Sequence, residues 1–172
     1  MAVNPYREAM LDLLTTALAE LPDLLAAPGW SGMRIDYHRP FVDRAWRPWR
    51  DCRLSIHRIH PCSPDEALLH PHPWPSAIAI LDGRYEMAIG FGAGVVAPPI
   101  AARVIAAAGT TYEMTDPDGW HSVRPIGSPS LSVMLSGPPW QRAMPVEPAA
   151  PQQPLSSAAI TDLLTAAARH LA

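Results

Sequence analysis

Between Met33 and Val146 the chain is a succession of short runs rich in Ile, Val, Leu and aromatic residues, cut at regular intervals by Gly, Pro and Asp. Short β-prone runs at regular spacing, each bounded by turn residues, predict an all-β sandwich or barrel. Strands are expected near 33–37, 52–60, 66–72, 76–82, 84–91, 101–107, 110–115, 120–124 and 129–136. The last alternates cleanly, with Leu131, Val133 and Leu135 on one face and Ser130, Ser132, Met134 and Ser136 on the other. Asp82-Gly83 reads as a hairpin turn. The chain has 21 prolines, which suit turns and edge strands and oppose long helices.

Helical periodicity is confined to the two ends. Residues 4–27 read as helix, with Asn4 as N-cap and Pro5 at the first helical position. Met10, Leu13, Leu14, Ala17, Leu18 and Leu21 form its apolar stripe. Pro22-Asp23 is expected to break this segment into two short helices. A proline-rich connector over 145–154 leads to a final helix from about Ser157 to His170. The expected organisation is an N-terminal helical segment (1–30), a barrel (31–146), and a linker with C-terminal helix (147–172), all in one domain. The helices are expected to pack on the outside of the barrel.

The net charge of −3, with all 13 basic residues arginine, leaves no footprint for nucleic acid or an anionic membrane surface. No apolar run is long enough to span a bilayer, and the N-terminus lacks a secretory pattern. The expected location is the cytoplasm. Cys52 and Cys62 make no disulfide framework and read as small half-buried apolar residues. Gly90, Gly92 and Gly94 are followed by no helix, so they read as a flexible hairpin or loop and not as a dinucleotide site.

Chemistry concentrates at the histidines. His70 and His72 lie one residue apart, so on a strand both imidazoles aim at one point. His121 opens another strand, after Pro117-Asp118-Gly119. Three neutral imidazoles suit Fe(II), and also Zn, Ni, Co or Mn, and leave adjacent coordination positions open. If no carboxylate joins them, the ion keeps its full charge toward substrate, which favours an anionic, chelating molecule. Trp74, Tyr85, Tyr112, Trp120 and Met134 are candidates for the pocket wall. Glu113, Asp116 and Asp118 are possible extra ligands, with turn and surface roles as the alternative. A guanidinium fork suits a carboxylate, but Arg39, Arg44, Arg47, Arg50 and Arg53 are close in sequence and spacing alone does not choose among them. His57 could face the pocket or serve a structural role.

These residues carry a resemblance. His70, His72 and Gly83 resemble the first motif of the cupin superfamily, and Pro117, Gly119 and His121 resemble its second, one residue shorter. The resemblance covers roughly residues 33 to 140 and implies a cupin-type (double-stranded β-helix, or jelly-roll) barrel. The first-motif glutamate position is Ser76, which leaves a three-histidine face. Within cupins this is similar to the thiol dioxygenases, such as cysteine dioxygenase. Tyr37-His38-Arg39-Pro40-Phe41-Val42-Asp43 resembles that family's Tyr-x-Arg-x-x-Val-Asp segment, so the resemblance implies that Arg39 binds the substrate carboxylate. The stretch His121-Ser122-Val123 and the strand running into Ser136-Gly137-Pro138-Pro139-Trp140 are also similar. The family's histidine and tyrosine on that strand correspond to Met134 and Ser136, and the cysteine cross-linked in some members to Ala77.

The resemblance implies a mononuclear non-haem iron dioxygenase acting on a small thiol or related anionic, carboxylate-bearing molecule. Its metal would be held by His70, His72 and His121, and its pocket would include Trp74, Tyr85, Met134 and Ser136. Small-molecule substrate and dioxygen are the expected partners, and a homodimer is compatible with the fold. The same barrel would also serve a metal-dependent isomerase, epimerase or lyase, or a non-catalytic ligand-binding protein.

Overall fold

The computed structural model describes residues 10–145, 149 and 151–171. Ten strands lie between two helices. They are α1 (Met10–Ala26), β1 (Ser31–Ile35), β2 (Val42–Trp49), β3 (Cys52–Ile59), β4 (His70–Pro71), β5 (Ser76–Asp82), β6 (Arg84–Phe91), β7 (Ile100–Ala107), β8 (Thr111–Met114), β9 (Gly119–Pro125), β10 (Ser130–Ser136) and α2 (Ser157–Ala168). The strands form a six-stranded sheet, β1-β2-β3-β10-β5-β8, and a four-stranded sheet, β4-β9-β6-β7. Every pair of neighbouring strands in the two sheets is antiparallel.

The larger sheet is buried on both faces. Leu54, Ile56, Ala77, Val133 and Leu135 point outward and pack with Met10, Leu14 and Leu21 of α1 and Leu163 of α2. The alternate residues point inward, where Val42, Ile59 and Ile80 meet Tyr85, Met87 and Val123 of the smaller sheet. Period-2 alternation therefore separates two apolar layers rather than core from water. The helices pack on the outer face, as expected.

Four expectations change. The first helix runs unbroken through Pro22. Pro22 is on the exposed side, where water can satisfy the carbonyl that its ring leaves unbonded, while buried Leu14, Ala17 and Leu21 hold the rod to the sheet. Asn4 and Pro5 lie outside the described residues. Strand β2 had no counterpart in the sequence reading, because charged residues and Pro48 hide its alternation. The strand expected over 66–72 shrinks to His70–Pro71. Asp82-Gly83 is not a hairpin: β5 and β6 belong to different sheets, and Gly83 turns the chain from one to the other. Its φ of +76° favours glycine, and a Cβ there would lie 3.1 Å from Ser130 Cα.

Asp43 of β2 shows how the charged strand is paid for. Its carboxylate accepts from Arg34 Nε and pairs with His60 Nε2, both at 2.8 Å. Burial pushes its pKa up, but these two partners outweigh burial and hold it below the ordinary value. A depressed carboxyl stabilises the fold above its unfolded pKa of about 3.9, and that contribution is lost as pH falls through the folded pKa. An Asp43→Asn variant is therefore expected to lose about 1–2 kcal/mol at neutral pH. Its stability should also fall less steeply below about pH 5. Urea titrations across pH test both.

Candidate metal centre

A cavity of about 380 Å³ opens between the two sheets. The smaller sheet contributes the histidines. His70 on β4 and His121 on β9 are directly paired across the strands, and His72 follows just after β4. The three offer nitrogen atoms that all lie within 4.8 Å of one another. Ring centroids are 5.5 Å apart for His70–His72, 5.0 Å for His70–His121 and 4.7 Å for His72–His121.

Two of the rings are oriented from behind. His70 Nδ1 lies 3.0 Å from the Leu68 carbonyl, so Nδ1–H donates and Nε2 keeps its lone pair. His72 Nδ1 bonds Ser76 Oγ. The residue at the expected glutamate position thus holds a candidate ligand ring instead of offering a carboxylate. Trp140 Nε1 donates to the His72 carbonyl at 2.8 Å and fixes the backbone there. His121 Nδ1 is buried with no hydrogen-bond partner among the described residues, and its Nε2 lies 3.0 Å from His72 Nε2.

This donor set fits a divalent transition metal. Two nitrogens each about 2.1 Å from one ion, at a right angle, lie about 3.0 Å apart. Burial lowers the pKa of all three histidines, that of His70 to about 4. At neutral pH the rings are uncharged, as metal ligands must be. Among the described residues no Asp or Glu lines the cavity, so none adds a negative ligand. Asp116 and Asp118 are engaged in the turn before β9, where Asp118 N–H donates to Asp116 Oδ1 at 2.9 Å. Because Ser76 orients His72, Ser76→Ala should weaken metal affinity about 10- to 100-fold while leaving the fold intact. Competition with a coloured chelator measures that loss.

The larger sheet supplies the opposite wall. Arg44 and His57 are cross-strand partners on β2 and β3, and His57 is paired in turn with Ser132 on β10. All three line the cavity. Arg44 Nε donates to His57 Nε2 at 2.8 Å, and burial keeps His57 well below its ordinary pKa, hence neutral. Tyr85 donates to the Tyr112 hydroxyl at 2.8 Å, and the Tyr112 ring is 6.2 Å from that of His121. Burial raises both phenols, Tyr112 to about 12, so both are protonated at neutral pH.

The other expected pocket residues divide. Trp74, Tyr85 and Met134 line this cavity. Ser136 lies in a separate depression beside Trp46, Arg53 and Pro138. Arg39 is not in the cavity wall: its guanidinium stacks 3.4 Å over Phe41 and lies 4.0 Å from Glu66. Sequence reasoning did not single out Arg44. The available signal was its position three residues into an unrecognised strand, in register with His57.

No family profile and no curated protein sequence matches the chain. Solved structures do. Hydroxypropylphosphonic acid epoxidase from S. wedmorenis matches with a TM-score of 0.50 at 10% identity, over 62% of this chain and 55% of its own. Fe(II)-HppE with an alternative substrate matches at 0.45 and 14%, over 59% and 50%. Streptomyces albus HEPD with 2-hydroxyethylphosphonate and Fe(II) bound matches at 0.45 and 11%, over 57% and 21%. The chain spans about half or less of the length of these proteins. Among the described residues no helix is long and apolar enough to cross a membrane. The three-histidine group could hold a metal ion. At the level of fold the chain is a cupin-type all-β barrel with flanking helices.

Proposed function

We propose that this chain is a mononuclear non-haem iron dioxygenase that oxidises a small thiol or related anionic molecule, with Fe(II) held by His70, His72 and His121. The observation that carries the reading is the convergence of three neutral imidazoles, two of them oriented through Nδ1, on one wall of the cavity between the sheets. Bound there, Fe(II) would supply open coordination positions and the redox change that oxygen chemistry requires. The protein's own part is positioning and exclusion of water. Leu68 and Ser76 set the rings, Trp74 and Met134 give the pocket an apolar lining, and protonated Tyr112 offers a hydroxyl on the His121 side.

The test is metal content and oxygen uptake. Chain loaded anaerobically with Fe(II) should hold about one ion and consume oxygen with a short thiol acid, yielding an oxidised sulfur product. Turnover that persists without oxygen, or with Zn in place of Fe, would move the chain to Lewis-acid chemistry and overturn the dioxygenase reading.

A further inference from the structure

Arg44 is the one formally charged residue among the described residues that line the cavity. It faces the metal-binding wall, and its charge depresses the pKa of His38, His57, His70 and His72. No carboxylate among the described residues pairs with it, whereas Arg34, Arg50, Arg58, Arg103 and Arg142 each have one within 3.2 Å. Burial lowers its pKa to about 10, so it stays charged at neutral pH. A partly buried guanidinium with no carboxylate beside it is unfavourable, and here it stands opposite a site that would add a second cation. The wall is short of negative charge.

The local geometry shows how Arg44 is held. Nε is committed to His57 Nε2, which sets the plane of the guanidinium. The four remaining N–H donors are on the two Nη atoms, a fork that matches an oxyanion. His57 is itself neutral and cannot serve as the counter-ion.

We propose that Arg44, held in plane by His57, is the anion anchor of the cavity and binds the terminal oxyanion of a short substrate whose other end faces His70, His72 and His121. This deepens the function proposed above and rests on it for the identity of the reacting end. It sets the substrate class: a small molecule with a carboxylate, sulfonate or phosphonate at one end and a metal-binding group at the other. It also takes the anchoring role from Arg39, which is outside the cavity wall and already stacked on Phe41.

The test reads binding, without turnover. Chain loaded with Co(II) under nitrogen would be titrated with 3-mercaptopropionate, 2-mercaptoethanesulfonate and neutral 3-mercaptopropionamide, following the thiolate-to-cobalt absorption. Arg44→Met should weaken the preferred acid about 10- to 100-fold and leave the amide unchanged. Arg44→Lys should recover part of the loss, and Arg39→Met should change nothing. Comparing the two acids in the native chain shows whether carboxylate or sulfonate is preferred. Equal affinity of native and Arg44→Met chains for the acids, or equal loss for acid and amide in a folded variant, overturns the anchor. If no metal loads, the proposed function fails, and the anchor is judged on metal-free chain: inorganic sulfate should raise the melting temperature of the native chain and not that of Arg44→Met. An equal rise in both would overturn it. If metal and acids bind as expected but oxygen is never consumed, the anchor stands and only the dioxygenase reading falls.

Discussion

A His72→Ala/His121→Ala double variant should lose its metal while keeping its fold. Four-ligand structural zinc sites bind with roughly 10–16 kcal/mol, on the order of 3 kcal/mol per ligand. Removing two of three imidazoles should therefore weaken binding by about 10⁴-fold. Atomic emission on purified protein would read this as a fall from near-stoichiometric metal to a trace. The fold should survive because both rings line a cavity and neither belongs to the apolar clusters that hold helices to sheet or sheet to sheet. Far-ultraviolet circular dichroism checks that point. Equal metal in both proteins, after extensive chelation and reloading, would show that the ion sits elsewhere.

Neighbouring residues on β10 should give opposite results. Leu135 is fully buried beneath the helices, and Leu135→Ala should cost about 2–5 kcal/mol through lost burial and the void left behind. Met134, one residue earlier, points into an existing cavity. Met134→Ala enlarges a space that is already there and should cost about 1 kcal/mol, with its main effect on ligand affinity. Urea midpoints of the two variants decide the matter. Equal destabilisation would mean that the cavity wall carries as much of the packing as the helix-covered face.

The barrel was legible because its strongest signal is local. Ser130–Ser136 alternates with Met134 as its one apolar residue on the serine face, and the two faces of β10 part as that pattern predicts, Leu131, Val133 and Leu135 toward the helices and Ser132 and Met134 toward the cavity. The His70-x-His72 pair and distant His121 could be grouped because strand geometry and a family resemblance agreed. Strand β2 was hidden for a physical reason. Asp43, Arg44 and Arg47 give it a loop-like composition, yet Asp43 is paired with Arg34 on the adjacent strand and bonded to His60, and Arg44 leans on His57. Partners supplied by register cannot be seen before the register is known. Pro22 was misread because a proline's cost depends on which side of a helix it occupies, and that side is set by packing. Ser76 and Asp82-Gly83 show the same limit: a serine that orients a cavity histidine and a turn that links two sheets have the same local sequence as their ordinary counterparts.

The double burial of the larger sheet has a consequence for how such a chain can change over time. Stability rests mainly on the outer layer, where Leu54, Ile56, Val133 and Leu135 meet the helices. The proposed recognition belongs to the inner one, where Arg44, His57, Ser132 and Met134 line the cavity. One sheet's thickness separates the two, and successive residues of a strand belong to different layers. Substitutions that alter ligand preference can accumulate on one side with little penalty on the other, so new substrates can be explored while the scaffold stays put.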